Sequence, residues 1–326
     1  MRILSFYQQG VYGLSEVALD FVDHATGKPR QRTVIAGSNG TGKTTILEII
    51  FSLLKHTPHL YDAVYTSKHT LAQDEKAKIT LSDLPLPSGN HPITLALDAT
   101  GPHLTSNEEI GNIRGNWLGA ILQASSGKRD FPNCVYFPSE GRELQSKGKG
   151  QIIDQPRDYQ WVYRFDDSAK WEGSLESFLV AMDYRDLMAQ REGRAGDEFS
   201  RFTKLINSFL QDKQIRGVDD KFRIKVEAAN GQQFGLEALS SGEKQIVLLL
   251  GEIQRRLRLG GLLLIDEPEI HLHPRWQRLL VRALTDLCAE YDAQMILTTH
   301  SEEIASAVYE HELVLLDAVF AREAVV

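Results

Sequence analysis

The sequence predicts an α/β fold with a mixed or parallel central sheet, flanked by helices and carrying a helical insert. Three observations predict it. A short β-rich run at 33–36 passes through a glycine-rich loop into an apolar helix at 44–54. From 222 to 316 strands alternate with helices, the order of a parallel sheet with helical crossovers. Between 174 and 210 the apolar residues change to helical spacing, with Leu175, Phe178, Leu179, Met182 and Leu187 in one set and Phe202, Leu205, Ile206, Phe209 and Leu210 in a second.

Each element follows in turn. Residues 2–22 alternate weakly and read as one or two strands, and Gly27, Lys28 and Pro29 mark a turn. After the helix at 44–54 a strand is expected at 93–97, between turn residues at 85–92 and 101–107. A strand at 133–137 ends at Pro138, and the polar stretch 141–160, rich in Gly and Lys, reads as a mobile loop. The last part reads as a strand at 222–227, a turn at Asn230-Gly231 and a helix at 240–259 stopped by Gly260-Gly261. A strand at 262–265, a helix at 276–291, a strand at 294–298 and a last strand at 312–316 complete it. No internal repeat is visible. The core is expected from 1–65 and 220–326, with 66–219 as an insert, arm or lid.

Composition narrows the class. The 326 residues are 42% hydrophobic and 25% charged, ordinary values for a globular protein. The longest apolar runs, 246–250 and 262–265, are far too short for a membrane span. The N-terminus reads as a first strand, without the layout of a signal peptide. Cys134 and Cys288 stand in apolar surroundings and read as buried thiols of a reducing compartment, so a cytoplasmic location is expected. The net charge of −8 does not favour a nucleic-acid grip by the whole chain. Arg191, Arg194, Arg201 and Lys204 form either a local basic patch or a solvated helix face.

Gly37-Ser38-Asn39-Gly40-Thr41-Gly42-Lys43-Thr44, followed by Thr45, satisfies the phosphate-loop pattern G-x-x-x-x-G-K-[ST] between a strand and a helix. Glycines let backbone N–H groups converge on phosphate, and the helix start adds its dipole. Lys43 is placed to reach the β- and γ-phosphates, and the Thr44 hydroxyl to bind Mg²⁺. Leu262-Leu263-Leu264-Ile265-Asp266-Glu267 is an apolar strand ending in two carboxylates. Asp266 suits the metal, and Glu267 suits the orientation and deprotonation of an attacking water. His300 ends another apolar strand, where its imidazole can meet a γ-phosphate or that water. Ser240 can cap the next helix with Glu243 closing a capping box, and the same helix start is an anion site. His271 and His273, with Glu267 and Glu269, also have a spacing that metal enzymes use, but the frame of Pro268 and Pro274 fits the nucleotide reading better.

These motifs together resemble the ATP-binding-cassette superfamily, and more narrowly its branch of SMC-like, RecF-like and OLD-like ATPases. The loop at 37–44 resembles Walker A, and Leu239-Ser240-Ser241-Gly242-Glu243 resembles the family signature. The run from Leu264 through Asp266, Glu267, Glu269, His271 and His273 to Pro274 resembles Walker B and its following loop, and Thr299-His300 resembles the switch histidine. The resemblance covers about 1–65 and 220–317. It implies ATP and Mg²⁺ as ligands, and a homodimer or higher even-numbered assembly of heads. In such a pair Ser240, Gly242 and Glu243 of one chain complete the site around the other chain's ATP.

Two departures stand out. Ser241 and Glu243 replace the commoner glycine and glutamine. The glutamine expected after the strand at 133–137 is missing, and Glu140 or Gln145 are the candidates for its place. Stand-alone ATPases of this type resemble regulatory components of anti-phage defence systems, which implies a separate effector protein. The alternatives are a DNA repair or chromosome-maintenance ATPase, the nucleotide-binding subunit of a transporter, and a binding module without turnover.

Overall fold

The computed structural model describes residues 1–56, 71–87, 89, 91–106, 110–142, 159–165 and 175–317, with the side chains of 110–112 left out. The chain opens with β1 (Arg2–Gln9), β2 (Val17–Asp20), β3 (Val22–Asp23), β4 (Lys28–Pro29), β5 (Arg32–Ala36) and α1 (Lys43–His56). Next come β6 (Lys76–Ser82), β7 (Ile93–Asp98), β8 (Gly101–Ser106), α2 (Ile110–Ser125), β9 (Cys134–Phe137) and β10 (Val162–Arg164). Helices α3 (Leu175–Arg191) and α4 (Glu198–Asn207) lead to β11 (Lys213–Val218), β12 (Ile224–Ala228) and β13 (Gln233–Phe234). The remainder is α5 (Ser241–Arg256), β14 (Leu262–Asp266), α6 (Pro274–Glu290), β15 (Gln294–Thr299), α7 (Glu302–Ala305) and β16 (Leu313–Leu315).

The central sheet has the order β10-β9-β14-β15-β5-β16, and every neighbouring pair in it is parallel. Its inner strands β9, β14 and β15 read as largely apolar runs because both faces are buried. Leu262 and Leu264 of β14 point into one core, with Cys134 and Tyr136 of β9 and Ile296 of β15. Leu263 and Ile265 point into the other, with Val135, Phe137, Met295 and Leu297. The first core lies between this sheet and an antiparallel sheet of order β2-β1-β6-β7-β8. Helix α1 sits in that core, against β9, β14 and β15 as well as β6 and β7. That position explains why Ile46, Leu47, Ile49, Ile50, Phe51, Leu53 and Leu54 are all buried, more than a single amphipathic stripe would hold. The second core is closed by α3, α4, α5 and α6 and by the small sheet β11-β12-β13.

One side chain fastens the two large sheets. Gln294, fully buried in β15, accepts from the Ile3 N–H at 2.6 Å. Its amide nitrogen donates to the carbonyls of Ile3 at 3.1 Å and Arg30 at 3.0 Å.

Strand pairing joins parts of 66–219 to the two large sheets. Strands β6, β7 and β8 extend the sheet of β1, and β9 and β10 lie beside β14. The turn expected at 101–107 is instead largely strand β8, paired with β7 from Ile93↔Ser106 to Asp98↔Gly101. Helices α3 and α4 occur where expected, but Leu187 is 49% exposed and stands apart from the buried face of α3. The loop expected at 141–160, with Gln145, lies mostly outside the described residues. Both cysteines are buried, and burial pushes the Cys288 thiol up to about 12. Among the described residues no helix is long and apolar enough to cross a membrane.

Candidate nucleotide site

Parallel register brings the motifs to one edge. Asp266 at the end of β14 is level with Thr298, Thr299 is level with Ala36, and Ile265 is level with Phe137. The loop after β5, the carboxylates after β14 and the histidine after β15 therefore meet at the carboxyl ends of neighbouring strands, where open α/β sheets hold ligands.

The loop is held closed by its own side chains. Thr41 Oγ1 donates to the Ser38 carbonyl at 2.9 Å, and Lys43 Nζ donates to the carbonyls of Gly37 at 2.9 Å and Ser38 at 2.8 Å. Gly42 has a φ of 82°, and a Cβ there would stand 2.5 Å from Leu14 Cδ2, so only glycine fits. Asn39 and Gly40 are exposed at the tip, and Thr45 follows in the first turn of α1. Asp317, just after β16, accepts from the Ser38 N–H at 3.1 Å and its hydroxyl at 3.0 Å. Nothing in the sequence marks that brace beyond the position of Asp317 at a strand's carboxyl end.

Thr44 Oγ1 donates to Asp266 Oδ2 at 2.8 Å, and Thr298 Oγ1 donates to Asp266 Oδ1. A hydroxyl beside a fully buried carboxylate is a hard oxygen donor pair, the set that Mg²⁺ takes alongside phosphate oxygens. The residues present thus fit the expected ion. Tyr136 beneath them donates to Glu48 at 2.9 Å. Burial, then the charges of Glu48 and Asp266, push its phenol far above the usual tyrosine range.

Glu267 has a φ of 47°, a left-handed turn that costs a residue with a side chain about 1–2 kcal/mol. Its N–H donates to Thr298 O at 3.1 Å, and its carboxylate lies 3.5 Å from His300 Nδ1. The His300 ring is about half exposed. Behind this turn lies a residue that the sequence did not flag. Arg142 donates to the carbonyls of Asp266, Phe137 and Pro138, and to that of Glu267 at 3.4 Å. Burial pulls its guanidinium down to about 10, against the opposing pull of Asp266 and Glu269. Of the two sequence candidates for the missing glutamine, Glu140 is exposed and Gln145 lies outside the described residues, whereas Arg142 holds the turn. Its partners are backbone carbonyls, which leave no pattern of side chains to read.

In the segment that resembles the family signature, Ser240 caps α5. Its Oγ accepts from the Glu243 N–H at 3.4 Å, and Glu243 Oε2 accepts from the Ser240 N–H at 2.6 Å. Ser240 and Ser241 are exposed, whereas Gly242 and Glu243 are buried. Glu243 also pairs with Lys213 at 3.1 Å. Burial opposes the Lys213 ammonium, but Glu243 outweighs it and raises its pKa. Glu243 thus builds the start of α5 and ties it to β11. A Cβ on Gly242 would stand 2.9 Å from the His271 carbonyl and 3.0 Å from the Trp276 ring, so the signature rests on the loop that follows β14.

Two of the four basic residues around the α3–α4 connection are paired. Arg194 meets Glu192, and Arg201 meets Asp197 at 3.2 Å and Glu290 at 3.1 Å. This fits the solvated helix face.

A family profile described as "AAA domain, putative AbiEii toxin, Type IV TA system" matches residues 32–306. The chain belongs to this family, AAA_21. The AAA_21 match runs from β5 past His300 and so contains every motif described above. Septu protein PtuA of Bacillus thuringiensis is 34% identical over 327 residues, covering 94% of this chain and 74% of that protein. "Retron Ec83 probable ATPase" of Escherichia coli is 34% identical over 398 residues, covering 97% and 71%. The crystal structure of the SmcHead bound to the C-winged helix domain of ScpA covers 94% of this AAA_21 chain and 92% of that chain. Its TM-score is 0.51 at 15% identity, a likeness of fold. Fold and family agree with the resemblance carried by the motifs.

Proposed function

We propose that this AAA_21 chain is an ATP-binding and ATP-hydrolysing switch that closes as a pair of heads and regulates a separate effector in anti-phage defence. One observation carries the ATPase reading. Lys43, Thr44, Asp266, Glu267 and His300 converge at the ends of β5, β14 and β15, with Thr44 bonded to Asp266 at 2.8 Å.

The chemistry follows from the placement of each group. Backbone N–H groups of Gly40, Thr41 and Gly42 and the ammonium of Lys43 hold the phosphates. Lys43 must leave the carbonyls of Gly37 and Ser38 to do so, and both belong to its own loop, so the exchange is local. Thr44 and Asp266 would hold Mg²⁺, which when bound would offset charge on the phosphate oxygens. Glu267 orients a water for in-line attack and takes its proton, and His300 beside it steadies the γ-phosphate end. Catalysis of this kind is mostly positioning and electrostatics, which suits side chains fixed at strand ends.

The exposed start of α5 supports a shared site. Ser240 spends its oxygen as an acceptor within its own helix, leaving its hydroxyl hydrogen and the first N–H groups for an anion from outside. In the proposed pair that anion is the γ-phosphate of the neighbour. Two relatives named for a Septu protein and a retron ATPase support the defence reading.

Phosphate release with Mg²⁺ and ATP tests the enzyme, and light scattering of Glu267→Gln with and without ATP tests the pair. Turnover no greater than that of Lys43→Ala overturns hydrolysis. A Glu267→Gln chain that stays monomeric in saturating ATP overturns the pair. Purification from the native host with identification of what co-purifies tests the effector.

A further inference from the structure

His300 is held from both sides by the segment that follows β14. Glu269 is 5% exposed, and a single oxygen of it, Oε1, makes three contacts. It accepts from Thr299 Oγ1 at 2.5 Å and from the His300 N–H at 2.9 Å, and it lies 3.3 Å from His300 Nδ1. On the far side Gln277 accepts from Ser301 Oγ at 2.5 Å while donating to the Leu272 carbonyl at 3.0 Å. The residues before and after the histidine are thus pinned to the loop and to α6. The other oxygen, Glu269 Oε2, is buried with no hydrogen-bond partner among the described residues. A buried carboxylate is costly unless well bonded. Simple fastening of a loop would be served as well by a neutral amide; the charge answers instead to the buried Arg142 guanidinium and to His300 Nδ1, which it lies 3.3 Å from.

We infer that Glu269 is a positioning residue that sets the orientation and tautomer of His300. The inference rests on the ATPase reading above. Carboxylate oxygens of Glu269 and Glu267 at 3.3 and 3.5 Å from Nδ1 favour a hydrogen on that nitrogen. Nε2 is then the nitrogen presented to the substrate. Of the two carboxylates, only Glu269 also grips the backbone of His300 and the hydroxyl before it. Glu267 is thereby released from fixing the ring and is available for water. The arrangement parallels the use of a carboxylate behind an imidazole to fix its working tautomer.

A double-mutant cycle tests this in the full chain, with ATP affinity and melting recorded alongside. Glu269→Ala should lower kcat by about 100-fold, the order expected when a reacting group is misplaced, with KM for ATP changed less than about twofold. Added to His300→Ala it should slow the enzyme no further, because its effect passes through the imidazole. Glu269→Gln keeps an oxygen for Thr299 and for the His300 N–H but loses the charge beside Nδ1, so it should recover only part of the loss, and full recovery would make Glu269 a loop fastener alone. If Glu269→Ala does not fold, Thr299→Val takes its place in the cycle. A double mutant slowed by the product of the two single effects overturns the inference. A readout without turnover separates this from failure of the ATPase reading. In ¹⁵N-histidine spectra the wild-type chain should show His300 as the Nδ1–H form, and Glu269→Ala should shift those signals. Superimposable spectra overturn the inference whether or not the chain hydrolyses ATP.

Discussion

Thr44 Oγ1 donates a 2.8 Å hydrogen bond to Asp266 Oδ2, joining the start of α1 to the end of β14 across 222 positions of sequence. Both oxygens suit Mg²⁺, so Thr44→Ala should raise the Mg²⁺ needed for half-maximal turnover about tenfold, the loss of roughly one charge-assisted contact. Asp266→Asn should be more damaging, since it removes the charge. Phosphate release across a Mg²⁺ titration reads both. A Thr44→Ala curve that overlies the wild type removes Thr44 from the metal set.

Glu267→Gln should slow hydrolysis at least about 100-fold while ATP still binds, the usual scale for loss of a general base. The substitution is nearly isosteric, so the left-handed turn at 267 should survive it. Single-turnover hydrolysis beside equilibrium ATP binding separates the outcomes. Lost affinity with unchanged turnover of bound ATP would move Glu267 to a metal or structural role.

Mixed pairs test the shared site. Lys43→Ala and Ser240→Arg should each be inactive alone. When mixed, one composite site carries both defects and the other carries neither, so activity should partly return. Verified mixed pairs without recovery count against sharing. Monomers with full turnover per chain remove the need for a pair altogether.

Arg142 should matter for rate more than for affinity. Its guanidinium bonds to the carbonyls of Asp266 and Glu267, the peptide that aims both carboxylates. Arg142→Ala should cut kcat about 10- to 100-fold with KM for ATP nearly constant, and Arg142→Lys should recover only part, because an ammonium lacks the planar fork. A variant that melts earlier yet keeps wild-type kcat would make Arg142 a brace alone.

Gln294→Ala should destabilise the fold by about 3 kcal/mol. It strips partners from the Ile3 N–H and from the carbonyls of Ile3 and Arg30, and each unsatisfied buried group costs about 1–3 kcal/mol, less where the cavity admits water. Urea unfolding gives the value. A loss below about 1 kcal/mol would show that the two sheets do not depend on this side chain.

The parts of the site that can be read from sequence are contiguous. The loop from Gly37 to Thr44, the pair Asp266-Glu267 and the cap Ser240 with Glu243 each carry their chemistry within a few residues. The inner strands β9, β14 and β15 are equally legible, since both faces are buried, whereas the three-residue edge strand β10 carries no such run. Less legible is β6, where Lys76 and Lys78 alternate with Ala77 and Ile79 in a short half-exposed strand. In β8, Gly101 and Pro102 carry a turn composition that pairing with β7 overrides. The contacts of Glu269 are hidden for a different reason. It stands in a visible motif, but its partners Thr299 and His300 lie about thirty positions away, and only parallel register makes them neighbours.

The close fit of Gly242 against His271 bears on timing. The exposed start of α5 and the loop bearing Glu267 and Glu269 share a contact with no room for even one methyl group. In the proposed pair, a neighbour's phosphate that tugs Ser240 also tugs the owner's catalytic loop, and the same holds in reverse. Two such contacts close a circuit through both chains, so the two sites would fire as a matched set rather than keep independent clocks. The ATP dependence of such a machine would be sigmoidal, and widening Gly242 to alanine would blunt the steepness before it stopped the chemistry.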